Sequence, residues 1–297
     1  MKMCITGGSG FIGSHLVRVL NKSGNDIIVV DRIKPDFPVK YLDCDISKAF
    51  EQESGIDIMF HYAASPDVRK SMENPVESLK NNVIATQNVL EFCRKNNVKK
   101  IVFASTSAVY GNADKVPITE EAELKPVSVY GATKASCEML TRSYHETYGI
   151  DAVVLRYANI YGPGSTHGVM HDFFQKLVSN PKILEILGDG NQSKSYLYID
   201  DAIRATMTAS KERGWNVINV GSEKETSVKE IAFLVASAMN LQNVKFVFAG
   251  GKIGWKGDVP RYLLDIKKIQ SLGWREQTEM NTGINNYIQW LSRGRKI

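Results

Sequence analysis

The sequence predicts an α/β protein: a doubly wound parallel sheet followed by a smaller C-terminal lobe. Three observations predict it. Through the first half, short β-branched runs alternate with longer amphipathic stretches, the rhythm of βαβ units. The first run leads straight into Thr6-Gly7-Gly8-Ser9-Gly10-Phe11-Ile12-Gly13, a glycine turn that opens a helix. After Asn159 the rhythm breaks, because Tyr161-Gly-Pro-Gly164 and the loop to His171 are rich in turn residues.

Strands are expected at Lys2 to Thr6, Asp26 to Asp31, Val39 to Leu42, Ile58 to Tyr62, Lys100 to Ser105 and Asp151 to Tyr157. All are short and mostly apolar, as strands covered on both faces must be. Helices fall between them. One runs from Phe11 to Asn21 and one from Pro75 to Lys95, with proline in the first turn, where its missing N–H costs nothing. A third runs from Tyr130 to Tyr148 and stops at Gly149, a C-cap glycine. In the second lobe, Ser227-Val-Lys-Glu230 is a capping box opening a helix through Met239, and Asp265 opens another that stops at Gly273. The expected division is residues 1–160 for the first domain and 161–297 for the smaller lobe, with the chain returning to the first domain around 196–220. A cleft between the two is a common place for a ligand.

Composition narrows the class. The chain has 297 residues, 43% hydrophobic and 23% charged, which excludes disordered, collagen-like and small disulfide-scaffold proteins. The net charge of +5 is spread along the chain, so a small anionic ligand fits better than nucleic acid. No apolar run approaches the roughly 20 residues that span a bilayer, and no signal peptide is visible. Four cysteines without a C-x-x-C pair suggest neither zinc nor disulfides. A cytoplasmic protein is expected.

The glycine turn carries the first chemistry. Its glycines permit a tight turn and let the backbone approach a pyrophosphate, while the helix N-terminus supplies N–H donors and partial positive charge. Asp31 ends the second strand, where a carboxylate accepts both ribose hydroxyls of an adenosine and repels the 2′-phosphate of NADP. NAD is therefore the expected cofactor of this Rossmann-type domain, although Arg32 and Lys34 follow. Asp45 and Ile46, after the third strand, are placed to meet the adenine. The second constellation is Tyr130-Gly-Ala-Thr-Lys134, whose spacing puts both side chains on one helix face. A phenol is a poor base at neutral pH, and an ammonium beside it favours the phenolate. In Ala104-Ser105-Thr106-Ser107-Ala108-Val109-Tyr110-Gly111, at the carboxyl end of the fifth strand, Thr106 adds a hydroxyl to the same cleft.

Other features take plainer readings. His61, at the end of an apolar strand, reads as a packed core histidine. His145, His167 and His171 lack partners at ligand spacing, so no metal is expected. Glu120-Glu121-Ala122-Glu123 reads as solvated surface.

Together these motifs resemble an extended short-chain dehydrogenase/reductase of the NAD-dependent epimerase/dehydratase family. The resemblance also takes in His61-Tyr62-Ala63-Ala64, Asn81-Asn82-Val83, Arg156-Tyr157-Ala158-Asn159 and Gly257-Asp258-Val259-Pro260. Within that family it is greatest to the UDP-glucose (UDP-galactose) 4-epimerases. It implies that Tyr130 takes the proton of the sugar 4-hydroxyl, Lys134 holds the nicotinamide ribose and Thr106 hydrogen-bonds that hydroxyl. It further implies that Gly7, Gly10, Phe11, Ile12, Gly13, Asp31, Arg32, Ala63, Ala64, Asn82, Ala104 and Tyr157 join Asp45 and Ile46 around NAD. Ser65, Ser107, Asn159, Val169, Lys194, Asp258, Arg261 and Tyr262 would bind a UDP-hexose.

The resemblance also discriminates. Dehydratases of the family carry Asp-Glu after the catalytic hydroxyl; here Ser107-Ala108 stands there, leaving elimination without its acid and base. Two family arginines are replaced, by Lys194 and by Trp255, with Lys256 or Arg261 near enough in sequence to compensate. The bulky Tyr262 disfavours N-acetylhexosamines. Alternatives are the same chemistry on a UDP-uronate, with Arg261 pairing the carboxylate, or on a UDP-N-acetylhexosamine. A nucleotide-sugar reductase or dehydrogenase and a silent NAD-binding regulator are the others. In this family the helices Pro75 to Lys95 and Tyr130 to Tyr148 pair with a second subunit as a four-helix bundle, so a homodimer is expected.

Overall fold

The structure, a computed structural model, describes residues 1–48, 50, 55–251, 259 and 261–293. Trp255, Lys256 and Asp258, offered above to a nucleotide, lie outside the described residues.

The chain begins β1 (Lys2–Thr6), α1 (Phe11–Lys22), β2 (Asp26–Asp31), β3 (Lys40–Asp43) and β4 (Ile58–His61). Next come α2 (Val68–Glu73), α3 (Pro75–Leu79), a π-helical turn over Lys80–Ile84, α4 (Ala85–Lys95) and β5 (Lys100–Thr106). A 3-10 turn over Ser107–Val109 precedes α5 (Val129–Tyr148), β6 (Asp151–Tyr157) and β7 (Asn159–Tyr161). Then follow α6 (Val169–Ser179), β8 (Ile183–Ile186), β9 (Ser193–Tyr198), α7 (Ile199–Ala209) and β10 (Trp215–Val220). The chain continues through β11 (Glu225–Ser227), α8 (Val228–Ala238), β12 (Lys245–Phe248), β13 (Arg261–Tyr262), α9 (Lys267–Ser271) and α10 (Met280–Leu291).

Seven strands form one sheet in the order β10-β6-β5-β4-β1-β2-β3, every neighbour parallel. Alternate residues face opposite layers, as the two-residue period of a strand requires. Met3, Ile5, Ile27 and Val29 share one core with Leu16, Val17 and Leu20 of α1 and with Ala202 and Ile203 of α7. Cys4, Ile28 and Val30 share the other with Val89, Leu90 and Cys93 of α4. The strand order reverses at β1, which has β2 on one side and β4 on the other. Such a reversal opens a crevice at the carboxyl ends of the strands.

The capping signals are realised. Ser128 Oγ accepts from Gly131 N at 3.1 Å, and Gly149 ends α5 at φ 68°. Ser227 Oγ accepts from Glu230 N at 3.1 Å, and Asp265 Oδ1 from Lys267 N at 2.9 Å. Several bounds differ from expectation by a residue: β4 ends at His61 rather than Tyr62, β5 at Thr106 rather than Ser105, and α1 at Lys22 rather than Asn21. β3 starts at Lys40 rather than Val39. The stretch Pro75 to Lys95 is one continuous helical run, as expected, but the π turn within it inserts an extra residue into its register. β10, a sheet edge whose apolar run is broken by Asn216 and Asn219, was not among the expected strands.

Beyond β6 lies a smaller assembly. β9 pairs antiparallel with β11 and parallel with β13 and β7, while β8 pairs with β12. Register sets Tyr262 beside Lys194.

At the start of α1, a β-carbon on Gly13 would lie 2.1 Å from the Gly7 carbonyl oxygen. Helix and turn therefore pack backbone to backbone. Gly13→Ala should cost about 1–3 kcal/mol of stability by overpacking. Urea unfolding measures it as a lowered midpoint at unchanged slope; a wild-type midpoint would mean that α1 moves aside freely.

Candidate active site

A cavity of about 940 Å³ runs along the carboxyl ends of β1, β2, β4, β5 and β6 and into the smaller assembly. Gly7, Gly10, Phe11, Ile12 and Gly13 line its middle. Gly7 takes φ 73°, and a β-carbon there would lie 2.5 Å from Ala63 N, so only glycine lets β1 and β4 close here. No side chain caps α1, so its first-turn N–H groups are left to an anion.

At one end, Asp31 receives Ser9 N at 3.0 Å on one oxygen and Ile33 N at 3.1 Å on the other, which fixes the carboxylate at the mouth of β2. Arg32, Asp45 and Ile46 line the same end. The Ser47 hydroxyl, 2.7 Å from Asp45 Oδ1, holds that carboxyl below its usual value. Asn88 Nδ2 anchors Ile46 O at 2.8 Å.

At the other end stand Thr106, Tyr130 and Lys134. Thr106 Oγ1 caps the 3-10 turn by accepting Ala108 N at 3.2 Å. Burial pushes the Tyr130 phenol up to about 12, against the pull of Thr106. Tyr130 N is held by Ser71 Oγ at 3.0 Å. Lys134, 3% exposed, lies 4.2 Å above the Phe103 ring, and burial lowers its ammonium to about 8. Ala63, Ala64, Ala104 and Tyr157 line the cavity between the two ends. Tyr157 Oη meets Tyr62 Oη at 2.6 Å and Thr206 Oγ1 at 2.5 Å.

His61 is a core histidine. It bridges Thr6 Oγ1 at 2.7 Å and Thr86 Oγ1 at 2.9 Å, and burial pushes it down to about 3, so it stays neutral.

On the substrate side, Ser107, Asn159, Val169, Lys194 and Tyr262 line the cavity. Three of the expected residues stand off the lining. Asn82, 1% exposed, is off the lining: its Oδ1 takes Ser65 N at 2.7 Å and its Nδ2 gives to Thr133 Oγ1 at 2.9 Å. The π turn puts Asn81 on the lining instead. Ser65 is off the lining too, with both of its backbone groups clasped by Asn82. Arg261 forks onto Glu225, with contacts from 2.8 to 3.1 Å, and does not reach the lining. Glu120 is not free surface either, since its carboxylate accepts Asn219 N at 2.8 Å and burial raises it.

Lining residues not singled out above include Tyr62, Phe173, Lys176 and Tyr196. A signal existed for two of them: Val169, Phe173 and Lys176 share one face of α6 at spacings of four and three. Among the described residues, no group of His, Cys, Asp or Glu could hold a metal.

Residues 3–221 match the NAD-dependent epimerase/dehydratase family. The chain belongs to that family. A relative named a putative UDP-glucose 4-epimerase, from Methanocaldococcus jannaschii, is 34% identical over 98% of this chain and 99% of its own. A solved UDP-galactose 4-epimerase superposes at TM-score 0.88 with 36% identity, all of both chains covered. MoeE5, solved with UDP-glucuronic acid and NAD, superposes at 0.90 with 31% identity over 99% of each chain. This family's cofactor is NAD, and the bare N–H groups of α1, the fixed Asp31 carboxylate and the close glycine turn suit it.

The buried ammonium has a measurable cost. Lys134 is protonated in the unfolded chain up to 10.5 but in the fold only up to about 8. Below about pH 8 the fold bears on the order of 3 kcal/mol for this burial, and the penalty disappears as pH climbs from 8 to 10.5. Without cofactor, Lys134→Met should therefore be about 1–3 kcal/mol more stable than the parent at pH 7, with the difference closing by pH 10. Paired denaturant titrations at the two pH values measure it, and a variant less stable at pH 7 would contradict the assignment.

Proposed function

We propose that this enzyme is a UDP-hexose 4-epimerase that interconverts UDP-glucose and UDP-galactose through transient oxidation at C4. The observation that carries the reading is the Thr106–Tyr130–Lys134 cluster at the carboxyl end of β5, followed by Ser107 and Ala108 rather than by carboxylates. Asp31, Arg32, Asp45, Ala63 and Lys134 would hold NAD, which supplies a hydride acceptor that afterwards serves as donor. Tyr130 takes the proton of the sugar 4-hydroxyl while Thr106 orients that hydroxyl. The Lys134 ammonium draws the phenol toward its ionised form and holds the nicotinamide ribose. The 4-keto sugar turns about its bond to the diphosphate, and Tyr130 returns the proton as C4 is reduced on its other face. Asn159 and Lys194 would grip the diphosphate, and Val169 and Tyr262 would bound the sugar.

Two observations favour a neutral hexose. Arg261, the cation best placed in the sequence for a uronate, is already neutralised by Glu225. The Tyr262 ring, 4% exposed on the lining, leaves less room for an N-acetyl group. Cys4, Cys44, Cys93 and Cys137 are joined by no disulfide, which suits a reducing cytoplasm. No helix among the described residues is long and apolar enough to cross a membrane.

We also propose a homodimer. Val76, Leu79, Ile84 and Met139 are 76%, 50%, 42% and 50% exposed on α3, the π turn and α5, an apolar face that a second copy would cover. Light scattering of the purified protein should give twice the chain mass, and a single species of monomer mass would overturn this assembly.

Proton NMR tests the reaction. Protein incubated with UDP-glucose, or with UDP-galactose, and no added NAD should yield both anomeric signals from either start. Tyr130→Phe should keep NAD and lose turnover, by on the order of 10²-fold or more. Conversion of neither sugar would sink the proposal, and retained turnover in the variant would remove Tyr130 as the base.

A further inference from the structure

Directly behind Thr106 lies a buried ion pair that the reaction above does not use. Glu138 on α5 is fully buried and Arg156 on β6 is 4% exposed. Arg156 donates Nε to both Glu138 oxygens at 3.1 and 3.2 Å, and Nη2 to Oε2 at 2.7 Å. Its remaining Nη1 goes to Tyr110 Oη at 2.8 Å and Glu120 O at 2.9 Å, and the guanidinium lies 4.8 Å from the Tyr110 ring. Glu138 Oε1 also accepts the hydroxyl of Ser105, the cross-strand neighbour of Arg156 in β5.

Two of these contacts reach elements that carry the reacting groups, β5 through Ser105 and α5 through Glu138. Ser105 precedes Thr106. Tyr110 closes the 3-10 turn, with its N–H on Ser107 O at 3.1 Å, and its hydroxyl reaches Asn219 Oδ1 at 2.7 Å. Glu138 stands one turn beyond Lys134 and two turns beyond Tyr130 on α5. We infer that Glu138, clamped by Arg156 and tied to Ser105, is a positioning residue that sets the register of α5 against β5 and so the Thr106–Tyr130 separation. The inference rests on the roles given to Thr106 and Tyr130 above.

Energetics favour this account over a purely stabilising one. A buried ion pair is seldom worth more than well-packed apolar side chains of the same volume, and what it adds is fixed geometry. Apolar surfaces tolerate sliding, whereas a fork on a carboxylate does not. Proton transfer needs heavy atoms about 2.6–3.2 Å apart, and an error of about 1 Å costs on the order of 10²-fold.

Ser105→Ala in the full-length, NAD-loaded protein is the cleanest test, because it cuts the tie to β5 and leaves the ion pair satisfied. The kcat for UDP-galactose should fall on the order of 10- to 100-fold, with KM changed by less than about threefold. The joint replacement Glu138→Leu with Arg156→Met should keep or raise the melting temperature and lower kcat alike. A kcat for Ser105→Ala within about twofold of the parent overturns the inference while leaving the epimerase reading intact. If the parent converts neither hexose, that reading fails, and crystal structures of NAD-bound parent and Ser105→Ala decide instead. A changed Thr106–Tyr130 separation in the variant upholds the positioning role, and an unchanged separation refutes it.

Discussion

Gly7 and Ala63 meet across β1 and β4 with no space for a side chain between them. That contact lies at the reversal of strand order, where the connections leave the sheet in opposite directions and a crevice must open. The rest of the site is measured outward from it. Asp31 lies one strand away on β2, and Thr106 lies two strands the other way on β5. At about 4.8 Å per strand, these two groups stand about 14 Å apart across the sheet. An extended dinucleotide is long enough to span such a separation, so one backbone contact sets the spacing of the residues that would hold its two ends.

The electrostatics follow from where the sheet places charge. Lys134 stands over Phe103 and near neutral His61, surroundings that solvate an ammonium poorly. The same low polarity holds the Tyr130 phenol in its protonated form. On the roles proposed for them, each group would gain when the other changes charge: a phenolate would stabilise the ammonium, and the ammonium the phenolate. Groups of this kind cost the fold stability, which the fully satisfied cluster of Glu138, Arg156, Tyr110 and Asn219 beside them holds in place.

What the sequence disclosed was what is local. The glycine turn, the acid ending β2 and the Tyr130–Lys134 spacing each lie within one turn or one strand end, so periodicity and residue type sufficed. Asn82 came from the resemblance alone; the π turn that faces Asn81 to the cavity and Asn82 to Ser65 and Thr133 is announced by nothing in Lys80–Ile84. Arg261 was offered to the ligand because its partner, Glu225, is 36 residues distant and meets it only through the β9 to β13 pairing. Glu120 was read as surface because it opens an acidic run; its partner, Asn219, lies on β10. Long-range pairing was the common cause, and it is set by topology rather than by local sequence.

The carboxylates on the described lining bear on the proposed reaction. Among the described lining residues they are Asp31, Asp45, Asp67 and Asp172. Asp31 and Asp45 stand at the far end from Thr106 and are engaged by backbone and hydroxyl donors. Asp67 accepts Arg69 N and Lys70 N at 2.9 and 3.0 Å as the cap of α2, and Asp172 is exposed on α6. Glu138, the carboxylate tied to Ser105 beside Thr106, has its oxygens taken up by Arg156 and Ser105. Elimination of water from a sugar needs a free acid and a free base beside the carbonyl it creates. The cluster at Thr106 offers a phenol, a hydroxyl and an ammonium, enough to move one proton out and back. Oxidation followed by reduction at the same carbon asks for no more than that.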